Sequence, residues 1–154
     1  MPYRPSLSHL ADAEFRSKGW RSFFAYRDLG VKEATTGDFD VRVVRAQAGD
    51  HPSTGWHHHL LSIQIVYCVG GWEVIALEDG RMAKLVPGSC LQIPSGFVHN
   101  EVGYAADMEM LVMSGPDAVT TVPVDPPAGW DDTVLDGIDA EMAPDRQTAP
   151  WSWK

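Results

Sequence analysis

At 154 residues the chain is long enough for one domain with a real core. Its 12 Lys and Arg against 21 Asp and Glu give a net charge of -9 and a pI near 4.9. Such an acidic surface repels phosphate backbones and anionic lipid, so neither nucleic acid nor a membrane is expected as a partner, and a small organic substrate is.

The N-terminal stretch carries Arg4, Asp12, Glu14 and Arg16 with no apolar run. Neither a signal peptide nor a spanning helix is expected, which makes the cytoplasm the expected compartment. Weak periodicity from Leu7 to Phe24 predicts a short helix around residues 8–17, then an extended arm whose aromatics, Trp20, Phe23 and Phe24, pack on the body of the domain or on a second subunit. Phe39 to Ala48 reads as a strand. Its arginines are expected to point outward; the alternative for Arg45 is a place at a pocket mouth, holding an anionic oxygen of a substrate.

His57 and His59 stand one residue apart on an extended segment, where side chains alternate, so both face one side and His58 the other. Neutral imidazoles ligate zinc, iron, nickel or copper, and the amide oxygen of Gln64 extends the shell. Gln64 to Val69 is rich in β-branched and aromatic residues and ends at Gly70-Gly71, which permits a bend. Trp72 to Leu77 is predicted to pair with Met82 to Val86 across a turn containing Asp79-Gly80, giving a meander. Gly88 opens the next strand, Pro94-Ser95-Gly96 makes a tight turn before a third imidazole, His99, and Met108 to Ser114 supplies a final strand. Short strands between turn signals predict an all-β sandwich or small barrel. Cys68 and Cys90 both lie in apolar strands and are expected to be reduced core residues; the alternative is a reactive thiol at Cys68, which shares strand parity with Gln64. Beyond Gly115-Pro116 the chain turns to prolines, acids and Trp130, Trp151 and Trp153, the composition of a tail laid over the barrel or over a partner subunit.

These motifs resemble those of the cupin superfamily. Its second motif is matched at Gly88, Pro94, Gly96 and His99, with Gly103 where the family often has Asn; its first is matched at His57, His59 and Gly71. Two departures stand out: Gly49 lies too far from His57, and Gln64 occupies the glutamate position. The resemblance implies a single-domain jelly-roll barrel over residues 36–116, with an N-terminal arm (1–35) and an irregular tail (117–154), and a divalent metal held by His57, His59, Gln64 and His99. An amide in place of a carboxylate leaves such an ion its full double charge, favouring Lewis-acid chemistry over oxygen activation.

The chain is also similar to the cupin-type aromatic polyketide cyclases, through the same four residues, the Gly71-Trp72 pair, and the segment from Tyr26 to Gly30 and on to Ala34-Thr35. That likeness implies a zinc-dependent cyclase, with iron, nickel or manganese as alternatives, acting on a free or carrier-bound poly-β-ketone by enolate attack on a second carbonyl and loss of water. An iron or nickel dioxygenase and a non-catalytic ligand-binding cupin are the rival expectations. Cupins commonly pair sheets between subunits, so a homodimer is expected. No residue could be named as the base.

Overall fold

A computed structural model describes residues 3–17, 19, 21–48, 52–115 and 120–138. Trp20, Gly49, Pro116 and the Trp151-Ser152-Trp153 segment lie outside them.

Among the described residues, ten strands form two five-stranded antiparallel sheets. One holds β1 (Phe24–Asp28), β2 (Asp40–Ala46), β9 (Glu109–Gly115), β4 (Ile63–Gly70) and β7 (Cys90–Pro94), in that order. The other holds β10 (Thr120–Pro123), β3 (His57–Leu60), β8 (His99–Tyr104), β5 (Glu73–Leu77) and β6 (Met82–Leu85). The β5–β6 hairpin pairs as the Asp-Gly turn predicts, but the expected meander does not extend past it. After Gly70 the chain leaves the first sheet for the second, and after Leu85 it returns, so β4 pairs with β7 and β9 instead of β5. The result is the all-β jelly roll that the motifs imply.

The core lies between the sheets and follows the period of two. Val66 and Cys68 on β4, Met110 and Val112 on β9, and Ile75 and Leu77 on β5 are buried against Phe24, Tyr26 and Met108. Gly71 makes the crossover possible: its φ is 63°, and a Cβ there would lie 2.7 Å from the Met108 backbone nitrogen.

Three expectations need correction. The helix around residues 8–17 is reduced to a 3-10 turn, Leu10–Asp12, because no apolar face is buried there: Leu7 and Leu10 are 82% and 60% exposed. A one-turn helix, Val31–Ala34, appears instead, and we label it α1. The barrel also exceeds residues 36–116 at both ends, since β1 pairs with β2 along its whole length and β10 pairs with β3. The strand that ends at Gly115 is therefore not the last. The described part of the tail lies over its own chain: Trp130 packs edge-on against Trp56 at 4.8 Å, and Ile138 sits against Gly103. Among the described residues no helix is long and apolar enough to cross a membrane.

Candidate metal centre

Strands β3 and β8 are neighbours, and His57 is the residue directly opposite His99. Strand parity then brings His59 to the same inner face, and one ligand atom from each of the three imidazoles lies within 4.8 Å of the others. All three side chains are buried, His99 completely. His58 turns to the opposite face and is not in the cluster.

Backbone carbonyls fix two of the rings. His57 Nδ1 lies 2.7 Å from the Gly55 carbonyl oxygen and His99 Nδ1 lies 3.0 Å from that of Phe97. A carbonyl only accepts, so each Nδ1 carries a proton, and in the neutral ring Nε2 then presents a lone pair to the cluster. On His59 it is Thr121 of β10 that meets Nδ1, at 3.1 Å. Burial lowers the His57 pKa, partly offset by Glu101, and burial with the two neighbouring rings lowers that of His59 to about 3. Both are neutral at pH 7, the form that binds metal. His99 Nε2 is buried with no hydrogen-bond partner, and an orphaned lone pair among neutral imidazoles is what a divalent transition metal fits.

Gln64, 5% exposed, projects from β4 across the barrel into the same cavity. This open cavity encloses about 580 Å³, solvent at its mouth included. Apolar side chains from the inner face of the first sheet, among them Phe24, Val44, Val66, Met110 and Val112, form much of its wall.

Two carboxyl groups that the sequence reading did not single out also line it. Glu101 Oε2 lies 3.8 Å from His57 Nε2, and Oε1 lies 3.8 Å from His99 Nε2. The Thr54 hydroxyl donates to Glu101 Oε2, and the Glu101 amide donates to Thr54 Oγ1 at 3.0 Å. Burial alone would raise this carboxyl, but the positive charge that His99 and His57 carry when protonated, together with the Thr54 hydrogen bond, holds it below the usual range. Glu73 sits further along the cavity, 4% exposed. Its burial, with the charge of Glu101 added, pushes it well above the ordinary carboxyl range and favours the neutral acid. The signal for Glu101 was its parity with His99, two residues away. Glu73 had no such signal, because the inward face of β5 is set by the crossover at Gly71.

The full double charge expected from the amide at position 64 is therefore not retained in the site as a whole: Glu101 returns a negative charge from another strand. Arg45 does not reach the cavity. By parity with the inward Val44 it points outward, where its Nε donates to Glu109 at 2.7 Å and its guanidinium lies 4.1 Å from the Phe15 ring centroid. The arginine that lines the cavity is Arg21. Both cysteines are free, but Cys90 is exposed and not in the core, since Leu91 and Ile93 take the inward positions of β7. Cys68 is fully buried, and burial pushes its thiol up, with Glu73 adding to the effect. That is the setting of an inert core residue.

No protein-family model matches the chain, and no curated protein matches it. Solved structures do resemble it. KdgF from Halomonas sp. superposes with a TM-score of 0.59 at 20% identity, over 75% of this chain and 96% of the other. The polyketide cyclase RemF from Streptomyces resistomycificus gives 0.59 at 22% identity, over 81% of this chain and 88% of its own. A sugar phosphate isomerase of the cupin superfamily from Silicibacter pomeroyi gives 0.59 at 22% identity, over 79% and 82%. At these identities the likeness is one of fold.

Proposed function

The chain has the cupin fold, and from that premise we propose that it is a metal-dependent enzyme, specifically a cyclase that closes and dehydrates a ring on a free or carrier-bound poly-β-ketone. The observation that carries the reading is the buried set of three imidazoles with one ionised carboxylate beside it, inside a largely apolar cavity. Fold alone does not choose among activities, since the three structures above are named for different ones. The wall favours a flexible, weakly polar chain over a sugar.

His57, His59, His99 and Gln64 would hold the ion, with zinc suiting a shell rich in imidazole and iron, nickel or manganese as alternatives. When bound, the ion supplies Lewis acidity that polarises a carbonyl oxygen. Glu101, steadied by Thr54, is placed to accept a proton from the methylene between two carbonyls. The carbanion so formed attacks a second carbonyl of the same chain, a carbon–carbon bond forms, the alkoxide takes back a proton, and water leaves. The apolar wall keeps the chain folded with the reacting carbons close, and keeps bulk water out. We further propose that the protein works as a cytoplasmic homodimer; light scattering over a range of concentrations tests the assembly, and a monomer throughout would overturn it.

The test of function is to supply the metal-loaded protein with a poly-β-ketone on an acyl carrier and to follow cyclised product and oxygen together. Product without oxygen uptake supports the cyclase. Oxygen consumed in step with product would make the protein a dioxygenase, and no product from any loaded metal would leave a binding protein.

A further inference from the structure

Glu73 is the one cavity-lining carboxyl that the proposed chemistry does not use. It starts β5, inward-facing, directly opposite Tyr104, while the other end of the same strand, Leu77, stands opposite His99. Four residues of strand separate the two ends, about 13 Å at 3.3 Å per residue. Glu101, opposite Ile75, lies midway. The cavity thus has polar groups at three stations along one sheet: the imidazoles at one end, Glu101 in the middle and Glu73 at the far end, with an apolar wall facing them.

The far station faces the cavity. Glu73 is 4% exposed, none of the hydrogen bonds among the described residues reaches its carboxyl, and it stands opposite Tyr104, with Phe24, Tyr26 and Met108 of the apolar core lining the same cavity. A carboxyl drawn this far out of bulk water costs stability, and packing alone would place an apolar residue here. Such a group is retained where a ligand completes it.

We infer that Glu73 is a substrate contact, hydrogen-bonding a carbonyl or hydroxyl oxygen at the end of the substrate remote from the imidazoles. This rests on the cyclase reading and narrows it: the substrate is an extended chain with oxygens at both ends of the cavity. As the acid, Glu73 donates to that oxygen; the contact fixes which carbonyl reaches the imidazoles, and hence which ring is made.

The test uses two probes on the full, zinc-loaded chain, acetylacetone, too short to span the stations, and a linear pentaketone, which spans them. Binding is read by calorimetry, and zinc content and thermal midpoint are measured on each protein. Glu73→Leu should weaken the pentaketone about tenfold, leave acetylacetone unchanged, and raise the midpoint of the ligand-free protein, because the desolvated carboxyl is gone. Glu73→Gln, which keeps a donor, should retain most of the affinity. If Glu73→Leu does not fold, Glu73→Asp, which withdraws the carboxyl by one methylene, should show the same selective loss. Equal pentaketone binding by wild type and the folded variant overturns the contact and leaves the reading of the imidazole site standing. A lower midpoint with both probes unaffected makes Glu73 structural. Failure of both probes to bind zinc-loaded wild type overturns the cyclase reading, and this inference with it.

Discussion

At His57 and His99 the ring orientation is decided by a carbonyl two residues earlier in each case. Both lone pairs are therefore aimed before any ligand arrives, which lowers the entropy cost of assembling the site. Replacing His57, His59 or His99 by Ala should lower metal occupancy sharply, while His58→Ala should leave it near that of wild type; elemental analysis decides, and equal loss at all four would contradict the geometry. Gln64→Glu adds a carboxylate to a site that already has Glu101. Occupancy should hold or rise, because a carboxylate is the stronger ligand, yet ring closure should slow about tenfold, the equivalent of about 1.4 kcal/mol of transition-state stabilisation. Turnover at matched occupancy reads this out, and an unchanged rate would mean that charge at position 64 does not reach the reacting carbonyl.

Beyond the strands that carry the imidazoles, β10 supports the site through the Thr121 hydroxyl that meets His59 Nδ1. Thr121→Val should weaken metal binding by roughly 10–100-fold, the usual effect of removing a partner of a ligating histidine; a competitive chelator titration measures it. The strand went unread because Thr120–Pro123 is four residues long and follows the Gly-Pro signal that resembles the end of a barrel. The imidazoles were legible for the opposite reason: the spacing of His57 and His59 specifies a face in two residues, and Pro94-x-Gly96 specifies the turn that delivers His99. Arg45 was not decided by parity in the sequence, since Val43 and Val44 are both apolar and both buried; only the placing of Val44 on the cavity wall shows that Arg45 faces outward. Glu101 was open to the same two-residue argument from His99. Glu73 was not, because a lone acid at the start of a strand looks solvent-facing until the opposing sheet is known.

For the whole molecule, the two sheets bury a cluster of neutral imidazoles that water would stabilise as cations, so folding and proton binding oppose one another. The His59 pKa falls from 6.5 to about 3 on folding, and the unfolded chain therefore binds the extra proton first as pH drops. Its contribution to the stability of metal-stripped protein is complete above the unfolded value and is lost as pH falls from about 6.5 toward 3. Denaturation midpoints across that window should decline, and His59→Gln should flatten the decline. The same burial makes the centre selective for a cation that replaces the missing hydration, and metal stoichiometry of the native protein is the most direct measurement of that claim. Wild type is expected to hold close to one divalent metal per chain, zinc foremost, to lose it to a chelator and to regain it, while the combined His57→Ala and His99→Ala protein regains none. A wild-type protein that carries no transition metal and binds none after stripping would contradict the account at its centre.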